Sequence, residues 1–422
     1  MFKKTLLPSG LRVMTAPMQG TNTVTTLVIV GTGSDYETRE DNGISHFLEH
    51  MFFKGTKKRP RAMTIKNELD SIGGVSNAFT THEFTGYWIK AGKTFLDLSL
   101  DLLSDIYRNS LLKQEEIDRE KQVVMEEMHQ YNDTPTRSIW DLWEEVLWGD
   151  QPAGWKILGR EDVLRKLKRD DFVNYFYNQY SAQNTIVVVA GNFDEGATVE
   201  KIKHYFAGVR DAAPIRQKPA VHFDQKQPVA RVHYKKTDQT HISLGFRAYE
   251  AGHPDRYVID VLATLLGGNW SSRMWDVVRD KLGLAYTVWT NSDTDSNRGT
   301  FTTYAGVDHK NATKAIGAMM REYKRIAEKP VSAKELKLAV DSIKGKTLIG
   351  LEASDAVADF VGIEEIITGS PLTVDEVFRN IEKVTPADVS RVARKLFVPS
   401  ALNLAVVGPY KDAKPFEGLL KL

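Results

Sequence analysis

The chain has 422 residues, of which 42% are hydrophobic and 26% charged, with a formal net charge of +1 and no cysteine. This balance is typical of a globular protein, and the length predicts two or three domains with sizeable cores. The near-neutral charge argues against nucleic acid or an anionic membrane as partner, and the lack of cysteine excludes disulfides, iron–sulfur clusters and thiolate zinc sites.

No segment of the sequence has the character of a targeting or membrane segment. Residues 1–8 include two lysines, but their apolar run is far too short for a signal peptide. No later run approaches the length of a membrane span. We therefore expect a cytoplasmic protein with no membrane partner.

Strand-like and helical patterns follow one another through the first half. Runs rich in β-branched residues predict strands, and amphipathic stretches predict helices. Asp41 and Asn42 precede a helix that carries His46 and His50, so we predict them as its N-caps. The remaining elements are strands at 11–17, 23–31, 75–80, 83–88 and 186–190, and helices at 62–72, 95–109, 114–146, 169–179 and 195–207.

Residues 211–228 contain three prolines and show no periodicity, which predicts a linker. After it the same order of elements begins again. Residues 189–193 resemble residues 406–410, and we interpret the two halves as a duplication. The predicted elements of the second half are strands at 229–236, 240–247, 285–293, 299–307 and 402–407, and helices at 254–267, 272–282, 310–327, 332–350, 353–368 and 385–396.

The motif with the clearest chemistry is His46-Phe47-Leu48-Glu49-His50. Residues three and four apart share one face of a helix, so His46, Glu49 and His50 point the same way. Two imidazoles one turn apart can hold zinc, and a carboxylate beside them can act as general base on a water molecule at the metal. The alternative is a helix end that carries these residues by chance.

Two histidines leave a zinc site short of one protein ligand. Glu120 and Glu127 lie two turns apart on one face of the helix predicted at 114–146, with Val123 and Val124 between them on the same side. That face should be buried, and a buried carboxylate requires a partner such as a metal or a metal-bound histidine. We predict Glu127 as ligand and Glu120 as its support. The alternative is an acidic, solvated helix.

These residues resemble a known family. The segment Gly43–Met51, followed by Phe53–Thr56 and later by Glu120 and Glu127, resembles the inverzincin or pitrilysin-type metallopeptidases of family M16. The length and the duplication resemble the short, processing-peptidase-like branch. The resemblance implies an α+β fold of two homologous domains, each an antiparallel sheet with helices packed on one face. We expect a catalytic zinc-binding domain at 1–210, the linker at 211–228, and a second domain without metal ligands at 229–422.

The resemblance also implies a role for each candidate residue. One zinc ion per chain would be bound by His46, His50 and Glu127, with Glu49 as the general base. Ser76, Asn77, Ala78 and Phe79 match the edge strand that pairs with extended substrate, as an unpaired strand edge is able to do. Arg279 and Tyr286, seven apart in the second half, match a pair that hydrogen-bonds the substrate carbonyl and the developing oxyanion.

The resemblance therefore implies a zinc-dependent endopeptidase that cleaves unfolded peptides enclosed in a clamshell chamber. In the family such a chamber needs four domains, so we expect a homodimer in which Arg279 and Tyr286 complete the site of the partner chain. One alternative is a non-catalytic assembly or binding subunit, against which the intact ligand motif argues. Another is a metal-dependent hydrolase of a non-peptide substrate, against which the predicted peptide-binding strand argues.

Overall fold

The computed structural model describes residues 2–421 and contains two β-sheets, each formed by strands from one half of the chain. The strands are Lys3–Leu6 (β1), Arg12–Pro17 (β2), Thr23–Val30 (β3), Val75–Thr80 (β4), Thr85–Gly92 (β5), Thr185–Gly191 (β6), Val229–Tyr234 (β7), Thr240–Ala248 (β8), Ala285–Thr294 (β9), Gly299–Val307 (β10) and Leu402–Gly408 (β11).

Helices connect most of the strands. In the first half they are Ile44–Phe52 (α1), Ala62–Ser71 (α2), Leu96–Asn109 (α3), Gln114–Asp133 (α4), Pro135–Trp148 (α5), Glu161–Leu164 (α6), Arg169–Gln179 (α7) and Glu195–Tyr205 (α8). In the second half they are Arg256–Ala263 (α9), the π-helices Thr264–Gly268 and Trp275–Lys281, Ala312–Glu328 (α10), Ala333–Gly350 (α11), Ser354–Thr368 (α12), Val374–Glu382 (α13), Pro386–Leu396 (α14) and Lys414–Glu417 (α15). Within residues 2–421, no helix combines the length and apolar character needed to cross a bilayer.

Five strands follow the same order in the two sheets, and the first sheet has β1 as an additional edge strand. The order is β1-β2-β6-β3-β5-β4 in the first sheet and β7-β11-β8-β10-β9 in the second. Most neighbours are antiparallel, but β2 pairs with β6, and β7 with β11, in parallel. The predicted α+β class with two similar domains is therefore confirmed, with mixed rather than purely antiparallel sheets. Strands β4 and β9 lie at equivalent edges, each hydrogen-bonded to a single neighbour.

Packing divides the chain into two compact units that are not contiguous in sequence. Unit 1 comprises Met1–Met128, Trp155–Pro219 and Ile349–Thr373. Unit 2 comprises His129–Gly154, Ala220–Leu348 and Val374–Leu422. Each half of the sequence thus supplies a segment to the unit built on the other half. The predicted division into two domains, 1–210 and 229–422, joined by a linker at 211–228 describes the duplication in the sequence, and it stays a prediction.

In unit 1 the segment supplied by the second half is α12. Its Val357 and Val361 pack against Leu27 and Val188 on one face of the first sheet. On the opposite face Tyr107 of α3 makes a 2.7 Å hydrogen bond between its hydroxyl and that of Thr185. Because alternate strand residues face opposite sides, the first sheet carries helices on both faces rather than on the one face predicted.

In unit 2 the segment supplied by the first half is α5. Ile139 and Trp143 pack against Tyr304 and Val407 of the second sheet, and the indole N–H of Trp143 donates to Thr302 Oγ1 at 2.9 Å. The helix predicted as one stretch at 114–146 is in fact two, α4 and α5. The break falls at Thr134 and Pro135, because a residue before proline is disfavoured in the helical region and proline lacks the N–H that a helix interior requires.

Candidate metal centre

The helix that carries the predicted ligands, α1, is capped by a buried carboxylate from an earlier turn. Glu37 accepts hydrogen bonds from the backbone N–H groups of Gly43 (2.7 Å) and Ser45 (2.8 Å). These N–H groups have no partner within the helix, and the positive end of the helix dipole favours an anion beside them. Burial nevertheless raises the pKa of Glu37 to about 7, although these hydrogen bonds act to lower it.

The predicted N-caps, Asp41 and Asn42, do not cap α1. The residue at the N-cap position is Gly43, in the left-handed conformation with φ of 100°. This turn directs Asp41 to bond Ile44 through its backbone carbonyl (2.9 Å), and Asn42 instead donates its amide to Glu37 at 2.9 Å. A Cβ at Gly43 would lie 2.7 Å from the Leu158 carbonyl oxygen, so glycine is required here.

Aromatic residues on the buried face of α1 fix its rotation about its own axis. The Phe47 ring meets Phe172 edge-on with ring centroids 4.8 Å apart, and Phe52 stacks on Tyr87 at the same centroid distance. All four side chains are buried. Rotation of the helix would expose this apolar surface, so the packing holds the histidine face toward α4.

His46, His50 and Glu127 come together as the sequence predicts. Within residues 2–421 they are the one group of three His, Asp or Glu side chains that could hold a metal ion, with their donor atoms within 4.8 Å of one another. Glu127 Oε2 lies 3.7 Å from His46 Nε2 and 3.4 Å from His50 Nε2. Two adjacent turns of α1 and one turn of α4 therefore aim three donors at one point.

This donor set fits zinc. Zinc bonds to imidazole nitrogen and carboxylate oxygen are about 2.0–2.2 Å long, so tetrahedral ligand atoms lie roughly 3.3–3.6 Å apart. The distances from Glu127 to His46 and His50, 3.7 and 3.4 Å, are close to that separation. Burial lowers the pKa of His46, and the neighbouring His50 lowers it further, which favours the neutral imidazole that a metal requires. Burial also acts to lower the pKa of His50, but hydrogen bonds with Glu120 and Glu127 raise it to about 9, so a metal would have to displace a proton from this ring.

Glu120, the predicted support two turns before Glu127, contacts the candidate ligand His50. Its Oε1 lies 3.0 Å from His50 Nδ1, which leaves Nε2 of the same ring directed at Glu127. Its Oε2 pairs with Lys54 at 2.6 Å. Burial opposes the charged carboxylate, but the hydrogen bonds from His50 and Lys54 outweigh it, so the pKa of Glu120 is lowered. Such partners fix the ring orientation of a metal-binding histidine.

The face of α4 is less uniformly buried than the sequence suggested. Glu120 and Val124 are buried, whereas the Val123 side chain is 50% exposed. Val123 lies one residue, or 100° of helix rotation, from Val124, which is enough to turn it into solvent. The side chain of Glu127 is 29% exposed, so the group formed by His46, His50 and Glu127 is open to solvent on one side.

Glu49 lies on α1 between the two histidines and contacts the edge strand. Thr80, the last residue of β4, donates its hydroxyl to Glu49 Oε2 at 2.5 Å. Burial raises the pKa of Glu49, and the nearby Glu127 adds to this, although the bond from Thr80 lowers it. A carboxyl group with a raised pKa accepts and releases a proton near neutral pH more readily than a solvated one.

Strand β4 has the free edge predicted for it, and its four candidate residues divide between its two faces. Its sole strand partner is β5, with Asn77 opposite Trp88 and Phe79 opposite Gly86. The Phe79 ring packs so closely over Gly86 that a Cβ there would lie 2.2 Å from it. By alternation, Ser76 and Ala78 share the face of Thr80, which reaches Glu49.

Arg279 and Tyr286 lie together in unit 2. The Arg279 guanidinium carbon is 5.6 Å from the ring centroid of Tyr286 and 4.0 Å from that of Trp275. Arg279 is on the second π-helix and Tyr286 is the second residue of β9. The side chain of Tyr286 is 77% exposed, so both its ring and its hydroxyl are accessible.

Three residues around the ligands were not predicted from the sequence. Glu37 caps α1, Thr80 holds Glu49, and Lys54 pairs with Glu120. Lys54 falls inside the segment Phe53–Thr56 that carries the resemblance, and Thr80 ends the strand predicted at 75–80, so their positions were visible without their partners. Glu37 gave no signal, because its side chain reaches the helix across an irregular turn rather than at capping-box spacing.

Comparison with known proteins identifies the family. Residues 12–161 match the model of insulinase (peptidase family M16), and residues 166–343 match that of the peptidase M16 inactive domain. An uncharacterized zinc protease of Streptomyces coelicolor is 32% identical over 97% of this chain and 90% of its own length. The uncharacterized zinc protease YmxG of Bacillus subtilis is also 32% identical, over 97% of this chain and 98% of its own.

The chain belongs to peptidase family M16. Solved structures agree with this fold. The crystal structure of a protease from Helicobacter pylori superposes with a TM-score of 0.89 at 23% identity, covering 97% of this chain and 99% of the other. A peptidase M16 inactive domain from Pseudomonas fluorescens superposes with a TM-score of 0.88 at 14% identity, covering 97% and 98%. The resemblance to family M16 that the sequence motif indicated is thus confirmed, and the match to relatives extends over 97% of the chain.

Proposed function

We propose that this M16 protein is a zinc-dependent endopeptidase. The observation that carries the proposal is the convergence of His46, His50 and Glu127, with Glu49 beside them and held by Thr80. Relatives that match almost the whole chain are named zinc proteases, which supports the same activity here. His46, His50 and Glu127 would hold one zinc ion per chain.

Zinc, when bound, supplies a Lewis acid for the scissile carbonyl and lowers the pKa of an attacking water. Glu49 takes the proton of that water and later delivers it to the leaving amine. The raised pKa of Glu49 suits both directions of transfer, and Thr80 holds one carboxylate oxygen so that the other is free to act. Glu120 keeps the His50 ring in the orientation that binding requires.

We propose that substrates bind as an added strand on β4. An unpaired strand edge recognises extended backbone through main-chain hydrogen bonds, with little dependence on sequence. The face of β4 that carries Ser76 and Ala78 also carries Thr80, whose hydroxyl bonds Glu49. A peptide on this edge therefore runs past the general base. This geometry favours unfolded peptides as substrates, since a folded protein rarely offers a free extended strand.

Arg279 and Tyr286 are proposed to hydrogen-bond the substrate carbonyl and the developing oxyanion. Their proximity to each other and the exposure of Tyr286 support this role. We further propose a cytoplasmic homodimer that closes as a clamshell, in which these two residues act on the site of the partner chain.

The test combines metal analysis with peptide cleavage. Purified protein should contain close to one zinc per chain and should cleave a quenched fluorescent peptide, and a chelator should abolish cleavage until zinc is restored. Glu127→Gln should lose zinc and activity together. Glu126→Gln, which changes the exposed residue just before Glu127 on the same helix, is the matched control and should retain both. A protein that binds zinc but cleaves no peptide would instead be a non-catalytic subunit.

A further inference from the structure

Unit 2 contains an open cavity of about 840 Å³ that the proposed chemistry does not use. It lies between the loop after α9, the first half of β9 and helix α11. This volume is in the range of sites that hold small molecules or peptide side chains. Its wall is mostly apolar and is formed chiefly by Trp270, Trp275, Val288, Trp289 and Leu338.

Three of the eight tryptophans of the chain line this cavity. Trp270 is 80% exposed although it stands in an apolar wall, and its ring stacks toward Trp275 with centroids 6.2 Å apart. An indole left this exposed loses hydrophobic free energy unless a ligand covers it, and tryptophans in such places are enriched where proteins bind partners.

The same wall is continuous with the proposed substrate-binding pair. Trp275 lies under the Arg279 guanidinium at 4.0 Å, and Arg279 in turn lies 5.6 Å from the Tyr286 ring. Trp270, Trp275, Arg279 and Tyr286 thus form one uninterrupted row of side chains. A peptide whose backbone is held at Arg279 and Tyr286 would therefore lie beside Trp275, which is part of the cavity wall.

The charged groups at the rim are already engaged. Lys346 Nζ donates to the Gly268 carbonyl oxygen at 2.5 Å, and Asp341 pairs with Lys337 at 2.6 Å. A charged ligand group would have to compete with these partners, whereas an apolar group would simply cover the indoles and Leu338. The occupant that the cavity suits is therefore uncharged and apolar.

We propose that this cavity is a specificity subsite that binds one large apolar side chain, aromatic or branched aliphatic, of a peptide. The proposal rests on the peptidase function above, because the occupant is part of the same substrate. Trp270 and Leu338, both exposed, are the residues that the side chain would cover.

The test measures binding without cleavage. Two pools of unstructured peptides, identical except for one phenylalanine or one alanine among small polar residues, are titrated into zinc-loaded Glu49→Gln protein, and their affinities are read by fluorescence anisotropy. The phenylalanine pool should bind roughly 10-fold or more tighter, as expected for covering an aromatic side chain. Trp270→Ala and Leu338→Gln should each bring the two affinities to within about threefold. Tyr234→Ala, which removes a 62% exposed tyrosine elsewhere in unit 2, should leave the preference intact.

Equal affinity of the two pools, or a preference that survives both cavity variants, would overturn the subsite. These outcomes are separate from failure of the proposed function. A protein that shows the Trp270-dependent preference but never cleaves peptide would contradict the peptidase activity and leave the subsite standing. A protein that cleaves with the same preference in wild type and in Trp270→Ala would contradict the subsite alone.

Discussion

The two units repeat one order of five strands but differ in what stands beside the edge strand. In unit 1, α1 and α4 bring two histidines and a carboxylate together next to β4. In unit 2 the elements at the same places in the order are α9 with its π-helical turn, α11 and β9. Residues 256–268 contain no histidine, and the space beside them is lined by tryptophan and leucine. The sheet therefore provides the edge, and a few side chains decide whether a polar or an apolar site forms on it.

The difference also shows what a buried polar site requires. Around the ligands of unit 1, the carboxylates of Glu37, Glu49 and Glu120 each have a hydrogen-bond partner within the unit. Burial of a carboxylate without such partners lowers the stability of the fold by several kcal/mol. A polar site of this kind therefore requires the surrounding hydrogen-bond partners as well as the candidate ligands. The apolar cavity of unit 2 needs no comparable support.

The largest expected effect comes from Glu49→Gln, which removes the proposed general base from unit 1 and keeps the shape of the side chain. Peptide cleavage should fall roughly 10²- to 10⁴-fold while zinc content is unchanged. A quenched-peptide assay and metal analysis on the same sample measure both. If activity stayed within a few-fold of wild type with zinc bound, the role of Glu49 would be disproved.

Tyr286→Phe tests whether unit 2 contributes to the same chemistry. Loss of one oxyanion donor should lower the rate of cleavage roughly 10²- to 10³-fold without loss of zinc. Mixing this variant with Glu49→Gln after dissociation and reassociation tests the partner chain. In mixed dimers one site keeps both Glu49 and Tyr286 if the residues act across the dimer.

Such mixing should restore about one quarter of wild-type activity, because half of the dimers are mixed and each has one intact site of two. If Tyr286 acts on the site of its own chain, every site in the mixture is defective and no activity returns. A fully active monomer, measured by size-resolved molar mass, would also contradict the shared site.

Glu120→Gln should weaken zinc binding by about 10- to 100-fold, since Glu120 contacts the proposed ligand His50 and is not itself a proposed ligand. Competition with a chromophoric chelator measures the affinity. Asp118→Asn, an exposed carboxylate two residues earlier on α4, is the control and should leave the affinity unchanged. Equal zinc affinity in wild type and Glu120→Gln would mean that the bond to His50 has no bearing on the metal.

The smallest expected effect is on the free energy of unfolding, when the residues at the starts of the equivalent helices α1 and α9 are changed. Glu37→Ala leaves two buried N–H groups at the start of α1 without an acceptor and should lower the free energy of unfolding by about 1–3 kcal/mol. Asp255→Ala, at the start of α9, removes an exposed pair with Arg391 and should cost about 0–1 kcal/mol. Urea denaturation of the zinc-free proteins measures both, and equal losses would contradict the capping role of Glu37.

The sequence predicts the element order and the shared helix face of the two histidines well, because both depend on local periodicity. The positions of His46, Glu49 and His50 follow from helical spacing, and the strands follow from β-branched runs. The role of Glu127 depends on a contact between two helices about eighty residues apart in sequence. Residue spacing alone therefore could not distinguish a metal ligand on α4 from an acidic side chain on a solvated helix. The long helix predicted through Pro135 was wrong because its amphipathic pattern continues across the break.

Features that depend on long-range packing were not predicted. The cap from Glu37, the bond from Thr80 and the cavity beside Trp270 each join segments that the periodicity treats separately. Nothing in the pattern indicated that α5, from the first half of the chain, packs in unit 2 and that α12, from the second half, packs in unit 1.

Unit 1 includes α12 from the second half of the chain, so unit 1 cannot finish folding until that helix has been synthesised. The apolar face that Leu27 and Val188 present on the first sheet is covered by α12, and Thr25 bonds Ser354 at 2.8 Å across 329 positions of sequence. At a synthesis rate of about 5–20 residues per second, roughly 10–35 s separate completion of β6 from completion of α12. During that interval the nascent chain presents an uncovered apolar sheet, a surface that chaperones recognise and that promotes aggregation.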